Sequence, residues 1–453
     1  MSVAAKNKPA SSLRLAATAG DIEQPYVDLF NRFIASDRAE FGGDWVRDLR
    51  RGAMNAFKRA GFPHKRVEAW KYTDFRPHMR ETFDLPQAAG EPLTSHEWLS
   101  SLPNDICNIV FVDGHLSPAL SDLDALPSGV EVVPLTQLTS DSPAWIQDNL
   151  ARVESDDARP LIDLNTALMH DGVLIRVSQG THVSRPIQLI FENVTGGYQS
   201  HIRNLLIAES DTQLSLIEVY LGTADQPYWM NSVLQIIGNE GADIRHYKIQ
   251  SEAKNALHVA NVLVRLEKNA AYDGFHLTEG AALSRHDGHY TLAGEGANLT
   301  VNGVYMLTGR QHCDNTTIID HTAPQCTSRE IFHGVLTDRS RGVFQGKIHV
   351  HPHAQKTDGY QLSKAILLSD KAEIDAKPEL EIYADDVKCS HGATAGQLDE
   401  QAIFYLRSRG LSVAQAKGVL IEAFLDDVID TIKDAAFREP FKQTVSRWLD
   451  RHA

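Results

Sequence analysis

The sequence contains few cysteines and no long apolar run. Its 453 residues include four widely spaced cysteines, none in a C-x-x-C pair: Cys107, Cys313, Cys326 and Cys389. This spacing excludes a disulfide framework and a self-contained Cys₄ zinc or ferredoxin-type site, and it fits a reducing cytoplasm. No apolar run approaches the roughly 18–20 residues of a transmembrane helix, so we expect no membrane span and no membrane partner.

Several nucleotide-binding and hydrolase motifs are also missing. The segment nearest to a P-loop, residues 342–348, is one residue short and lacks the final Ser or Thr. Neither H-E-x-x-H nor G-x-S-x-G occurs in the chain. We therefore expect that the chain does not hydrolyse ATP through a P-loop of its own.

Positive charge is in deficit. The chain has 44 Lys and Arg against 59 Asp and Glu, which gives a net charge of −15. The resulting negative field repels phosphates and argues against a nucleic-acid or anionic-lipid partner. Residues 1–20 differ, because they contain Lys6, Lys8 and Arg14 and no acid. This composition favours the disordered tail of a bacterial cytoplasmic protein, and an organellar transit peptide is the alternative.

Three regions follow this tail. Residues 21–165 show helical periodicity and then a mixed α/β pattern, and residues 166–397 show apolar–polar alternation. Small residues recur at 241–243, 269–271 and 296–298, each before a strand-like segment. This repeat is typical of a β-solenoid, which we favour over a jelly-roll or sandwich.

Residues 398–453 return to helical periodicity. Ser412 and Gln415 form an S-x-x-Q capping box that begins a helix. This helix is either a lid over the open end of the solenoid or a docking surface for a partner. Its predicted apolar stripe consists of Val413, Ala416, Leu420, Ala423, Phe424 and Val428.

Two groups of side chains in the β region have metal-binding chemistry. His349, His351 and His353 alternate, so in a strand they share one face; we favour a polar outer face over a transition-metal site. Cys389 and His391 also point to the same side of an extended chain, and thiolate and imidazole suit iron or zinc. Two ligands do not complete a site, so other residues or a second chain must supply the rest. A buried structural cysteine beside a surface histidine is the alternative.

Residues 379–394 resemble a signature of the SufB/SufD family of iron–sulfur cluster assembly proteins, and more closely that of its SufD branch. Ser363 stands near the position where SufB-type chains carry their assembly cysteine, which favours the same branch. Further segments fit the family pattern: 68–73, 344–348, 354–358, 367–370 and 404–410.

The resemblance implies a right-handed parallel β-helix core at 166–397, flanked by helical N- and C-terminal regions. It implies a non-enzymatic scaffold subunit that pairs with a SufB-like paralogue and shares a transient iron–sulfur cluster with it. His391, and more weakly Cys389, would then ligate iron at the shared interface. A reduced flavin bound by the assembled complex is a second cofactor that the family suggests. A SufC-like ABC ATPase would dock on the C-terminal helices through Phe404, Tyr405, Leu406, Arg409, Leu420 and Phe424.

Two readings from other classes compete with this one. A purely structural solenoid would dimerise, and the isolated chain is expected to form a homodimer in either case. A β-helix carbohydrate-active enzyme would need paired carboxylates, whereas Asp385 and Asp386 are predicted on opposite faces of a strand.

Overall fold

A computed structural model describes residues 20, 22–79, 83–87, 102, 105–152 and 159–452. The predicted tail or transit peptide at residues 1–20 lies outside the described residues, apart from Gly20. The β-strands are β1 (Cys107–Val112), β2 (His115–Leu116), β3 (Val130–Pro134), β4 (Val173–Val177), β5 (Ile187–Asn193), β6 (Gln199–Ala208), β7 (Gln213–Gly222), β8 (Trp229–Gly238), β9 (Asp243–Ser251), β10 (Leu257–Leu266), β11 (Ala271–Thr278), β12 (Leu283–Leu292), β13 (Asn298–Leu307), β14 (His312–His321), β15 (Thr327–Leu336), β16 (Arg341–Val350), β17 (Asp358–Leu367), β18 (Glu373–Ile382) and β19 (Lys388–Gly396). The α-helices are α1 (Gln24–Ile34), α2 (Gly43–Ala60), α3 (Ala144–Gln147), α4 (Pro160–Leu168), α5 (Glu400–Ser408), α6 (Val413–Ile429) and α7 (Ala435–His452).

Consecutive strands from β4 onward alternate between two sheets. The odd-numbered strands pair in parallel in one sheet and the even-numbered strands pair in parallel in the other, each strand with the strand one turn away. The first sheet begins with β1 and β2, and the second begins with β3, which is antiparallel to β4. Stacked parallel turns of this kind confirm the predicted parallel β-helix and are incompatible with an antiparallel jelly-roll or sandwich.

One corner of each turn is formed by a residue with left-handed backbone. Gly241, Asn269 and Gly296 have φ values of 73°, 57° and 74°, and they lie in the three repeated junctions that the sequence shows. The N–H of each donates to a carbonyl of the next turn, so the corner residues stack in a column. Glycine and asparagine adopt this conformation at low cost, which explains their recurrence at this corner.

The solenoid interior is filled mainly by apolar side chains of alternate strand positions, and helices cover the outer faces. The N-terminal helices and α4 pack with Trp229, Leu257 and Leu283 of the even-numbered strands. Helices α6 and α7 pack on the outer face of strands β7 to β15 of the odd-numbered sheet. The C-terminal helices therefore lie along the side of the solenoid, and the lid alternative is wrong.

Two further features follow from these assignments. Asp385 and Asp386 lie in the turn between β18 and β19, so the prediction that they occupy opposite faces of a strand is wrong. Among the described helices, none is both long and apolar enough to cross a membrane.

Candidate functional site

The last turn of the solenoid exposes the edges of both sheets. β18 and β19 are the terminal strands of their sheets and pair on one side only, with β16 and β17 respectively. Most residues of β19 are exposed, whereas every residue of β7 and β9 is buried or half-buried. An unpaired strand edge presents free N–H and C=O groups that another chain can pair with.

Cys389 and His391 lie on β19 and point to the same side of it, as the sequence predicts. Their partners in register are Gly359 and Gln361 of β17, which are both buried in the interior. Because no further turn covers β19, the His391 side chain is exposed, and no other described side chain donates a hydrogen bond to it or accepts one from it. An inward-facing position at the end of a solenoid thus becomes an accessible imidazole.

The Cys389 thiol is in a different environment. Its side chain is half-buried and packs against the apolar interior. Burial raises the pKa of the Cys389 thiol, and the nearby Asp358 raises it further, although a hydrogen bond with the Gly359 backbone acts in the opposite direction. The isolated chain therefore does not favour the thiolate, and Lys388 does not reverse this. A metal ion would have to displace the thiol proton to bind here.

A short column of polar side chains lies beneath His391 inside the solenoid. Gln361 is its partner in register, and Glu330 is the partner of Gln361 one turn earlier. The Thr317 hydroxyl donates to Glu330 Oε1 at 2.6 Å, and the Gln361 amide donates to the Glu379 carbonyl at 2.9 Å. Burial raises the pKa of Glu330 to about 8, so its carboxyl is protonated at neutral pH. Sequence reasoning missed this column because its members are 30 residues apart and only the strand register aligns them.

The exposed apolar side chains of the C-terminal region lie mainly on α5. Phe404 and Tyr405 are 74% and 56% exposed, and no residue of α5 is buried. The Arg409 guanidinium lies 5.2 Å from the centroid of the Tyr405 ring and donates to its hydroxyl, so Arg409 holds that ring in place. Leu406 is half-buried. Three of the predicted docking residues therefore form one exposed patch.

Helix α6 uses a different face from the one predicted. Its buried residues are Ala416, Ile421, Leu425, Val428 and Ile429.

Of the predicted stripe, only Ala416 and Val428 belong to that buried face, because Val413 is exposed and Leu420 is half-buried. The Phe424 ring stacks on His333 of the solenoid at 4.3 Å, and the Phe424 carbonyl accepts from His333 Nδ1 at 2.7 Å. Phe424 thus attaches α6 to the solenoid and lies apart from Phe404 and Tyr405 in its role.

Comparison with known proteins identifies the family. A family model described as the SufBD core domain of SUF system FeS cluster assembly matches residues 191–424, and a model of the SufBD N-terminal region matches residues 20–189. The chain belongs to the SufBD family. The chain is 33% identical to the iron–sulfur cluster assembly protein SufD of Escherichia coli over 386 residues, which cover 84% of this chain and 88% of that protein.

Other SufBD relatives cover the chain equally well. A SufBD family protein of Synechocystis is 31% identical over 413 residues, covering 88% of this chain and 90% of the relative. The chloroplastic protein ABCI7 of Arabidopsis thaliana is 27% identical over 420 residues, covering 89% and 86% of the two chains. These matches confirm the predicted SufBD resemblance and its connection with iron–sulfur cluster assembly.

Proposed function

We propose that this SufBD chain is a non-enzymatic scaffold subunit that assembles iron–sulfur clusters together with a SufB-like paralogue and a SufC-like ABC ATPase. The observation that carries the proposal is the open edge of β19, where His391 is exposed and Cys389 lies half-buried beside it. The nascent cluster is the cargo of this site.

The site is built to be completed by a second chain. A cluster needs several thiolate or imidazole ligands, and β19 offers one imidazole and one protonated thiol. Ser363, which stands near the SufB cysteine position, is buried on β17 and offers no thiolate. A SufB-like partner that pairs along β19 would supply the missing thiolates, and His391 would ligate iron from this side of the interface.

The ATPase would bind to the patch on α5 and transmit its motion to the solenoid. Phe404 and Tyr405 present apolar surface, which supplies binding free energy when it is buried at an interface. Helix α6 contacts the outer face of the solenoid through Phe424 and His333. Closure of two ATPase subunits on ATP would therefore pull the C-terminal helices, and the stiff solenoids would open their shared interface to iron and sulfur.

The role of His391 is tested by His391→Ala in the complex reconstituted from this chain, the SufB-like paralogue and the SufC-like ATPase. We expect an assembled complex at the wild-type ratio, as measured by size-exclusion chromatography, with a large loss of bound iron and acid-labile sulfide. His182→Ala, which removes another exposed histidine far along the sequence, should retain the wild-type cluster yield. An unchanged yield in an intact His391→Ala complex would remove this residue from the mechanism.

The docking patch is tested by Phe404→Asp combined with Tyr405→Asp. Because both side chains are more than half exposed, the fold should tolerate these changes, and co-purification with the SufC-like ATPase should be lost. Leu120→Asp is the matched control, since Leu120 is 43% exposed and lies in the N-terminal region. If the double variant still recovers the ATPase in full, the patch is not the docking surface.

The remaining proposals follow from the family. The domain division at residues 20/21, 165/166 and 397/398 stays a prediction, as do flavin binding by the complex and homodimerisation of the isolated chain. We place the protein in the bacterial cytoplasm, and the alternative of an organelle has a counterpart in the chloroplastic relative ABCI7.

A further inference from the structure

A second group of metal-ligating side chains lies on the other sheet of the solenoid. Asp320 of β14 and His349 of β16 are partners in register, and both project from the outer face because their strand neighbours Ile319 and Ile348 belong to the interior core. His351 follows directly after β16, and its ring centroid is 4.3 Å from that of His349. The sequence pattern found the histidines but not Asp320, which lies 29 residues before His349.

The Asp320 carboxylate is already oriented by hydrogen bonds. His349 Nδ1 lies 2.8 Å from Asp320 Oδ1, and His289 Nε2 lies 2.6 Å from Asp320 Oδ2. Arg159 donates to His289 Nδ1, which leaves the His289 proton on Nε2, where it is donated to Asp320. Asp320 is thus held between two imidazoles. Metal sites commonly use outer partners of this kind to fix the orientation of their ligands.

The spacing of the donor atoms fits one metal ion. One donor atom from each of Asp320, His349 and His351 lies within 4.8 Å of those from the other two residues. Ligands about 2.0–2.2 Å from a shared ion are roughly 3 Å apart, so modest side-chain rotations bring the three onto one centre. All three residues are half-buried, so the site is open to an ion from solvent and the cost of desolvating the ligands is reduced.

We propose that Asp320, His349 and His351 form a binding site for a divalent first-row transition metal ion. Two imidazoles and one carboxylate are the donor set of three-ligand iron(II) and zinc sites that keep open positions, and this set does not suit calcium or magnesium. His289 and Arg159 orient the carboxylate from outside the set. Binding displaces the proton between Asp320 and His349 to solvent, because the metal takes the place of that hydrogen bond.

This site is distinct from the end of β19. Its strands belong to the even-numbered sheet, whereas Cys389 and His391 lie on the odd-numbered sheet. All three ligands come from this chain, so the site does not depend on the SufB-like partner or on the proposed function. A resident ion would link neighbouring turns of the solenoid as a cross-link between β14 and the end of β16.

The experiment titrates the purified full-length chain with Zn²⁺ and with Co²⁺, using a competing chelator for affinity and the visible absorption of Co²⁺ for ligand geometry. We expect one site whose affinity falls at least about tenfold in Asp320→Asn and in His351→Gln, since even the loss of an outer partner costs that much. His182→Gln is the matched control, because it also removes an exposed histidine. Circular dichroism checks that each variant is folded.

Two outcomes would overturn the proposal. Either the wild-type chain binds no Zn²⁺ or Co²⁺ more tightly than His182→Gln, Asp320→Asn and His351→Gln alike, or it binds one equivalent that none of these changes weakens. In both cases the carboxylate and imidazoles form only a hydrogen-bonded surface network. Because the test uses the isolated chain, its failure leaves the His391 experiment in the reconstituted complex unaffected.

Discussion

The protonated carboxyl of Glu330 makes the stability of the solenoid depend on pH in a predictable direction. Glu330 is fully buried on β15, and its Oε2 atom has no hydrogen-bond partner among the described residues. A Cβ atom added at Gly346 would lie 3.0 Å from that oxygen and 2.2 Å from Gln361 Oε1, so these two oxygens are within about 5 Å of each other. Ionising Glu330 would place an unpaired charge beside an amide oxygen in the interior.

The magnitude follows from the pKa of Glu330, which burial raises from 4.5 to about 8. In the unfolded chain this carboxyl loses its proton near its ordinary pKa, so above that pH the unfolded state binds fewer protons than the folded state. Stability therefore falls as pH rises from the unfolded pKa to the folded pKa, and it levels off above the latter. At about 1.4 kcal/mol per pH unit, flattening near pH 8, Glu330 should cost about 2 kcal/mol between pH 6 and pH 8.

Glu330→Gln removes this titration and keeps the shape of the side chain. The new amide oxygen can accept the Thr317 hydroxyl, and the new amide N–H₂ faces the unpartnered oxygen of Gln361. We expect the variant to gain about 2 kcal/mol over the wild-type chain between pH 6 and pH 8, measured by urea unfolding followed by tryptophan fluorescence. Glu240→Gln, at an exposed position, should show no such pH-dependent difference. A constant difference between Glu330→Gln and wild type at both pH values would refute the reasoning.

Two further substitutions test the packing around the functional regions. Arg285→Met should lower the free energy of unfolding by about 3–5 kcal/mol in the same urea assay, because Asp314, which accepts from Arg285 at 2.6 Å, would become an unpaired buried charge; a loss below about 1 kcal/mol would contradict this. Ser412→Ala should cost about 1 kcal/mol by removing the capping box with Gln415, and hydrogen exchange should become faster in the first turn of α6 and not in β17; unchanged exchange in α6 would contradict it.

The sequence was sufficient to predict the solenoid because one physical constraint repeats in it. Each turn needs a left-handed corner, and Gly241, Asn269 and Gly296 supply that corner at regular intervals. The side chains that meet across turns could not be found in the same way. Asp320 meets His349, and Glu330 lies below Gln361, only after the strand register is fixed, and the repeat was too irregular to fix it.

The face of α6 was mispredicted for a related reason. The helix contains apolar residues around most of its circumference, so periodicity alone selects no unique buried stripe. The outer face of the odd-numbered sheet decides the matter by burying Ile421 and Leu425. Phe404 and Tyr405 remain exposed because α5 contributes no side chain to this packing.

The two exposed edges at the end of the solenoid differ in how well they could pair with another strand. β18 contains Pro378, which has no N–H to donate, and it carries the charged side chains of Lys377, Glu379 and Glu381. Proline and charge are the features by which edge strands avoid pairing. β19 has no proline and no acid, and small residues such as Ser390 leave room for a partner backbone. The edge that is open to pairing is thus the one that carries His391, which is why we place the partner strand along β19 and not along β18.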